Sequence, residues 1–278
     1  MRIGFMQFSP VLGDVSRTIQ HIDKLLDQCE RADLLVLPEL CNSGYNFTSF
    51  DQAWETSEPI ENSVFIEFLE SKCSQFAMYI VSGFNEQDGN NLYNSAILIG
   101  PHGYIGKYRK LHLFLNEKDF FQPGDTGLPV FDIGLCTIGM LVCFDWIFPE
   151  VWRIIALKGA EIICHPSNLV LPGFAQRAIP IHALTNRVYV VTANRIGTEG
   201  DLTFTGVSTI ADPKGDILVQ ASQTKEKVGI KDVDIASARD KMITQRNDVF
   251  RDRRPEEYTL LTKKDIAADS KGSSKISM

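Results

Sequence analysis

Two kinds of hydrophobic pattern alternate along the chain. Short apolar runs, typical of buried strands, are separated by stretches in which apolar residues recur at helical spacing. The predicted strands are RIGFMQF (2–8), DLLVLPE (33–39), MYIVSGF (78–84), SAILIG (95–100), a strand pair in FDIGLCTIGMLVCF (131–144), EIICHPSN with its exit loop (161–168) and VYVVTANR (188–195). The predicted helices are 16–31, a segment carrying Phe65, Phe68, Leu69 and Phe76, a segment from Pro149 to Lys158, and 174–187. Helices that separate strands predict a layered α/β protein.

Turn signals refine this prediction. GPHGYIG at 100–106 has the glycines of a hairpin, and Pro213-Lys214-Gly215 turns a second hairpin. Hairpins together with intervening helices indicate mixed sheets. Since the chain contains no fixed-period repeat and no Pro/Ser-rich linker, we expect one domain over residues 1–262. Residues 263–278, KKDIAADSKGSSKISM, carry few large apolar side chains and are predicted to form a disordered tail.

Charge and cysteine usage narrow the class of protein. A formal net charge of −7 argues against nucleic acid or an anionic membrane as a partner. No apolar stretch is long enough for a membrane helix, and the N-terminal run does not resemble a signal peptide. The six cysteines form no CxxC pair, and a chain of this length does not need disulfides. These features favour a cytoplasmic protein.

Three predicted strands end in residues that carry chemistry. LLVLPE ends in Glu39, YRKLHLF places Lys110 just after a strand, and MLVCFD ends in Cys143. Ligand sites gather at strand ends in layered α/β proteins. A carboxylate, an ammonium and a thiol are the parts of a nucleophilic acyl-transfer site: the carboxylate takes the thiol proton, the cation favours thiolate and stabilises an oxyanion, and sulfur attacks carbon. Spacing alone leaves open whether the three meet.

Other interpretations of the same residues remain open at this point. Each of Glu39, Lys110 and Cys143 also fits a purely structural role. Cys164-His165 is a rival nucleophile pair, although adjacent strand residues point to opposite faces. Metal binding lacks an HxH or HExxH spacing, and a serine hydrolase would need the GxSxG motif. A catalytically idle binding protein is the remaining alternative.

Several motifs together resemble the nitrilase superfamily of carbon–nitrogen hydrolases, over residues 1 to about 260. The three signatures occur in the family's order: LPEL at 37–40, YRKLHLF at 108–114 and LVCFDWIFPE at 141–150. Further similarity lies in QPGD at 122–125, the HPSN loop at 165–168 and TNRVYVVTANRIG at 185–197. We expect His165 and Asn168 to lie in that loop and to line the pocket. The resemblance implies a four-layer α/β/β/α sandwich, chemistry that needs no cofactor, and a homodimer or higher homo-oligomer that associates through helices outside the sandwich.

The resemblance also implies roles for individual residues. Glu39, Lys110 and Cys143 would form the catalytic triad, and Glu117 would hold substrate and assist proton transfer. The oxyanion would be bound by Lys110 and the backbone N–H of Phe144. The turn after Cys143 would expose its sulfur near a helix N-terminus that lowers the thiol pKa.

The expected reaction is hydrolysis of a small amide through a cysteine thioester, releasing ammonia or an amine. The motif CFDW lacks the tryptophan and glutamate that follow the cysteine in true nitrilases, which favours an amide. The stretch from HLFLNEKDFFQPGD through DWIFPE nevertheless looks similar to prokaryotic members that act on small aliphatic nitriles, so nitrile hydrolysis is the alternative. The expected substrate-binding residues are Phe114, Phe144, Trp146, His165, Asn168 and Leu171, lining a compact, partly apolar pocket.

Overall fold

The computed structural model describes residues 1–28 and 30–263. Cys29, which we counted in the first predicted helix, and residues 264–278 of the predicted tail lie outside the described residues. The described chain divides into two units, Met1–Asp240 and a second that begins at Lys241. None of the helices in the described ranges is long and apolar enough to cross a bilayer.

The first unit contains fourteen strands. They are β1 (Arg2–Gln7), β2 (Leu34–Val36), β3 (Tyr79–Asp88), β4 (Asn91–Gly100), β5 (Gly103–Arg109), β6 (Val130–Asp132), β7 (Thr137–Met140), β8 (Ile162–Ser167), β9 (Tyr189–Asn194), β10 (Thr198–Glu199), β11 (Leu202–Thr203), β12 (Thr209–Ala211), β13 (Ile217–Gln220) and β14 (Lys227–Asp232). Two mixed six-stranded sheets result, in the orders β14-β1-β2-β3-β4-β5 and β13-β12-β9-β8-β7-β6. The short hairpin β10–β11 stands apart from both sheets.

Helices lie between these strands along the chain. They are α1 (Val15–Asp27), α2 (Phe50–Glu55), α3 (Val64–Phe76), α4 (Glu117–Phe120), α5 (Pro149–Leu157), α6 (Phe174–Asn186) and α7 (Ala236–Arg239), with 3-10 turns at Ile60–Asn62 and Cys143–Ile147. Of these helices, α1, α3, α5 and α6 pack against the sheets. Residues of α1 and α3, including Ile22, Phe65 and Leu69, pack with the first sheet in one apolar core. Helix α5 lies so close to β7 that a Cβ at Gly139 would lie 2.2 Å from Cγ2 of Ile155.

The two sheets face each other in the middle of this unit. Strand β1 contacts β9, while β2 and β3 contact β8. The four-layer α/β/β/α sandwich that the resemblance implied is therefore confirmed. The second unit contains a short hairpin, β15 (Met242–Thr244) with β16 (Asn247–Asp248), and 3-10 turns at Pro255–Glu257 and Thr259–Thr262.

Two predicted strands end earlier than the sequence pattern indicated. Strand β2 stops at Val36, three residues before Glu39, because Pro38 has no N–H for a ladder and Leu40 adopts a left-handed φ of 45°. Strand β7 stops at Met140, and Cys143 begins a 3-10 turn with a φ of 41°. Apolar residues continue past both strand ends, so hydrophobicity alone did not mark them.

Candidate active site

Glu39 is held against β3 by its backbone. Its main chain runs so close to Gly83 that a Cβ at the glycine would lie 2.3 Å from the Glu39 Cα. The Gly83 N–H donates to the carbonyl of Pro38 at 3.0 Å, and the Gly83 carbonyl accepts from Cys41 at 3.1 Å. The glutamate side chain is fully buried. A side chain larger than hydrogen at position 83 would displace Glu39.

Lys110 follows directly after β5, as predicted, and both its backbone N–H and its backbone carbonyl are hydrogen-bonded. Its N–H donates to the Asn94 carbonyl and its carbonyl accepts from Gly124, each at 2.9 Å. The buried Nζ lies 2.7 Å from Oε1 of Glu39 and 2.7 Å from Oε1 of Glu117. Burial disfavours the charged form, but the carboxylates of Glu117 and Glu39 outweigh it and raise the pKa of Lys110. The lysine therefore stays an ammonium ion.

Glu117 begins α4, is buried, and is the second carboxylate in contact with the Lys110 ammonium. Its Oε1 also accepts a hydrogen bond from the Tyr45 hydroxyl at 2.7 Å, and its Oε2 accepts from the Phe114 N–H at 3.2 Å. Burial raises the pKa of Glu117, Lys110 acts in the opposite direction, and the negative charge of Glu39 raises it further.

Asp145 holds the turn that carries Cys143. Its Oδ2 accepts from the Val142 N–H at 2.9 Å and from the Tyr108 hydroxyl at 2.8 Å. Its Oδ1 lies 2.7 Å from Nδ1 of His112. A non-glycine residue in the left-handed region costs free energy, and such residues persist only where the surroundings hold them. The contacts of Asp145 hold the chain on both sides of Cys143.

The thiol pKa differs from our prediction. The sequence led us to expect a helix N-terminus that lowers the pKa of Cys143. Instead, burial raises the pKa well above its ordinary value, Glu39 raises it further, and Lys110 lowers it by less. The prediction is wrong because the sulfur is desolvated and two carboxylates share the Lys110 ammonium. Burial and Glu39 thus favour the neutral thiol over the thiolate by raising the pKa of Cys143.

A small cavity opens at Cys143. Besides the cysteine, it is lined by Phe114, Phe144, Trp146, Asn168, Leu169, Val170 and Leu171. Five of these residues are among those expected to bind substrate. The ring centroids of Phe114 and Phe144 lie 4.8 Å apart. The side-chain amide of Asn168 donates a hydrogen bond to the backbone carbonyl of Glu39 at 2.9 Å. The cavity is therefore mostly apolar, with polar groups near the sulfur.

His165 was expected in a loop that lines this pocket, and that placement is wrong. The residue lies within β8 and is fully buried. Its Nε2 bonds the carbonyl oxygen of Cys143 at 2.9 Å, at the start of the 3-10 turn Cys143–Ile147. The strand extends through Ser167, so the exit loop begins at Asn168, three residues later than the HPSN motif suggested.

The structure also places the residues of the two alternative sites, the Cys164 thiol and a metal site built on histidines. Cys164 is fully buried in β8, as expected of a core residue, and burial raises the pKa of its thiol well above the ordinary value. Nε2 of His182 lies 2.8 Å from the Trp146 carbonyl, and Nδ1 of His112 contacts Asp145. Within residues 1–28 and 30–263, no three His, Cys, Asp or Glu side chains are grouped so as to hold a metal ion.

Comparison with known proteins identifies the family. A sequence model described as "Carbon-nitrogen hydrolase" matches residues 2–241. The chain belongs to the carbon–nitrogen hydrolase family. It is 46% identical to a nitrilase of Pyrococcus abyssi over 93% of this chain and 99% of the relative. It is 31% identical to an N-carbamoylputrescine amidase of Arabidopsis thaliana over 89% of this chain and 91% of the relative.

Solved structures agree with the fold. An amidase from Nesterenkonia superposes on this carbon–nitrogen hydrolase with a TM-score of 0.77 at 25% identity, covering 94% of this chain and 96% of the amidase. The resemblance to the nitrilase superfamily is confirmed, and the chain is a carbon–nitrogen hydrolase of the nitrilase and amidase type.

Sequence reasoning missed three residues of this hydrolase site. Tyr45 reaches Glu117 from the loop after Glu39, and the Asn94 amide donates to Oε1 of Glu39 at 2.7 Å. Asp145 lies inside the recognised cysteine motif, but we assigned it no role. A buried asparagine in an apolar strand was the available signal for Asn94, whereas no local pattern indicated Tyr45.

Proposed function

We propose that this carbon–nitrogen hydrolase cleaves a small amide through a thioester on Cys143, with Glu39 as general base and acid. One observation carries the proposal: a single buried ammonium, Lys110 Nζ, lies 2.7 Å from both Glu39 and Glu117, and Cys143 interacts electrostatically with all three. Buried titratable groups gathered at a cavity are typical of acid–base and nucleophilic catalysis.

The first step is deprotonation of the thiol by Glu39. Oε1 of Glu39 is occupied by Lys110 and Asn94. Oε2 is buried and has no hydrogen-bond partner among the described residues, so it is available to accept the proton. Proton transfer from Cys143 to Glu39 moves charge within the site without changing its total. A thiolate formed without this transfer would add negative charge beside two carboxylates that already share one cation.

Attack of sulfur on the amide carbon places negative charge on the carbonyl oxygen. The Lys110 ammonium and the Phe144 N–H are the donors proposed to stabilise that oxyanion. The N–H groups at the start of a helical turn have no partner within the turn, which leaves the one at Phe144 for substrate. Glu39 then returns its proton to the departing nitrogen, and a thioester remains on Cys143.

Hydrolysis of the thioester completes the cycle. Water enters where the amine or ammonia has left, Glu39 takes its proton, and the resulting hydroxide attacks the thioester carbon. Cys143 leaves as a thiol after receiving the proton from Glu39. No cofactor is required for these steps.

Groups near Cys143 support an amide as the proposed substrate class. An amide nitrogen carries hydrogens that a carboxylate such as Glu117 can bind and orient, whereas a nitrile nitrogen has no hydrogen to donate. The aromatic walls formed by Phe114, Phe144 and Trp146 suit a short acyl chain. A mutant of the similar Nesterenkonia amidase has been solved with butyramide, a short aliphatic amide.

Nitrile hydrolysis is the second candidate, and the 46% identity to the Pyrococcus abyssi nitrilase favours it. Thiolate attack on a nitrile gives a thioimidate, which must add water before nitrogen leaves. The test is paired kinetics on one acyl chain supplied as amide and as nitrile, with ammonia release as the readout. Faster amide turnover is expected, and faster nitrile conversion through to acid would contradict the amidase proposal.

We also propose that the active protein is a homodimer formed through α5 and α6. These helices expose a set of apolar side chains, namely Ile154, Leu157, Phe174 and Ile181. Helices α5 and α6 contact each other, and exposed apolar side chains on neighbouring helices are typical of association sites. Sedimentation of the full chain is expected to show a dimer, and a monomer at micromolar concentration would contradict this part of the proposal. The cytoplasmic location stays a prediction.

A further inference from the structure

His165 makes a hydrogen bond that the proposed reaction does not use directly. Its Nε2 is 2.9 Å from the carbonyl oxygen of Cys143, and its Nδ1 is 3.1 Å from Oγ1 of Thr192 on β9. A carbonyl oxygen only accepts hydrogen bonds, so Nε2 carries the proton and Nδ1 accepts from the threonine hydroxyl. Burial lowers the pKa of His165 to about 4, against a smaller opposing effect of the Cys143 carbonyl, so the ring is neutral.

Two further carbonyls of the 3-10 turn Cys143–Ile147 also accept a hydrogen bond from a ring N–H. The Trp152 indole N–H donates to the Asp145 carbonyl at 3.0 Å, and Nε2 of His182 donates to the Trp146 carbonyl at 2.8 Å. With His165, three ring N–H groups from β8, α5 and α6 bond three carbonyls of one turn. These carbonyls are therefore directed into the protein, towards the elements that carry the rings.

The geometry of the peptide unit fixes the consequence for the opposite side. In a trans peptide the C=O and the following N–H point in opposite directions. Since the Cys143 carbonyl points towards His165, the N–H of Phe144 points away from it. A carbonyl that accepts a hydrogen bond also polarises its peptide, which makes the N–H of the same peptide a stronger donor.

We propose that His165 is a positioning residue: by bonding the Cys143 carbonyl it orients and polarises the peptide whose Phe144 N–H stabilises the oxyanion. The inference rests on the proposed function, because it concerns the charge that forms when sulfur attacks a carbonyl. Its effect is specific to acyl transfer. A reaction of Cys143 that forms no oxyanion, such as alkylation by iodoacetamide, does not need this donor.

Two variants of His165 distinguish the effect of its hydrogen bond from the effect of its side-chain volume. Glutamine carries a donor NH₂ that can replace Nε2–H, whereas leucine fills much of the volume and has no donor. Removing an oxyanion donor outright costs about 10²–10³-fold in kcat, so loss of its orientation by His165→Leu is expected to cost about tenfold or more. We expect KM to change by less than about threefold, because the ground-state amide is bound by other groups.

Iodoacetamide alkylation of Cys143 is the matched control. Its rate in His165→Leu is expected to stay within about twofold of wild type, and His165→Gln is expected to keep kcat within about threefold. An unchanged kcat in His165→Leu would overturn the inference. So would alkylation that falls in parallel with kcat, because the thiol itself would then have moved.

Two further points keep the test decisive. If His165→Leu does not fold, His165→Asn replaces it, since its amide is one methylene too short to reach the Cys143 carbonyl and the same losses are expected. The proposed function is tested only by comparing the wild-type rates on the matched amide and nitrile. The ratio of variant to wild type, on whichever of the two wild type converts to acid, judges His165, because both substrates pass through a thioester whose hydrolysis forms an oxyanion.

Discussion

Lys110 Nζ lies 2.7 Å from Oε1 of Glu39, and both side chains are fully buried. Glu117 shares the same ammonium, so Lys110→Met would leave two carboxylates buried without a cation. Breaking a buried ion pair by removing one partner costs about 3–5 kcal/mol of stability. We expect Lys110→Met to lose nearly all turnover and to show a free energy of unfolding lowered by about that amount, measured by chemical denaturation.

A second substitution provides the control for this prediction. Lys110→Met combined with Glu117→Gln removes one of the two unpaired carboxylates and should regain part of the lost stability while remaining inactive. If the single variant is as stable as wild type, the ion-pair account of this site is wrong.

Glu117 should matter more for an amide than for a nitrile. Glu117→Gln keeps the volume of the side chain but removes the charge that orients the substrate nitrogen, which only an amide supplies with N–H groups. We expect the variant to lower kcat/KM for a short amide at least about tenfold more than for the matching nitrile. The measurement is ammonia release from both substrates by both proteins, and equal losses would argue that Glu117 acts only on Lys110.

The Cys143 thiol should lose its proton only at high pH. Because burial and Glu39 raise the pKa of Cys143, the fraction of thiolate near neutral pH is small. The rate of alkylation by iodoacetamide is therefore expected to keep rising as the pH passes 9, with Cys143→Ala identifying the modified peptide. A plateau reached below pH 8 would indicate a preformed thiolate and contradict this electrostatic account.

Stability should fall in mild acid because His165 is buried as the neutral ring. Its folded pKa is about 4 against an ordinary value of 6.5, so below 6.5 the unfolded chain binds a proton that the native protein does not. Its contribution is present above pH 6.5 and is lost as the pH falls towards 4, by about 3 kcal/mol at most. Denaturation at pH 7 and 4.5 should show a smaller loss for His165→Gln than for wild type. Equal losses would contradict this account.

Much of the site followed from local sequence signals. The predicted strand ends at Glu39, Lys110 and Cys143 indicated three residues that could carry chemistry, and the resemblance to the nitrilase superfamily implied that they meet. The signals did not mark the ends of β2 and β7, because apolar residues continue into the tight backbone around Leu40 and Cys143. The left-handed backbone dihedrals of Leu40 and Cys143, and not a change in hydrophobicity, accompany the ends of these strands.

Contacts between distant segments were beyond the sequence pattern. Tyr45 reaches Glu117 across 72 positions, and His165 reaches the Cys143 carbonyl across 22. The same limit explains the wrong expectation for the thiol pKa. A turn before a helix indicated a lowered value, while burial and the neighbouring Glu39, which depend on the folded arrangement, raise it.

The identity of the nucleophile is the central claim, and one paired comparison tests it most directly. Cys143→Ala and Cys164→Ala each remove one buried thiol, and kcat for a short aliphatic amide is measured for both, with intact-mass detection of the acyl-enzyme in wild type. We predict that Cys143→Ala abolishes turnover, that Cys164→Ala stays within about threefold of wild type, and that the acyl group maps to the peptide containing Cys143. Appreciable turnover by Cys143→Ala together with an inactive, folded Cys164→Ala would contradict the account.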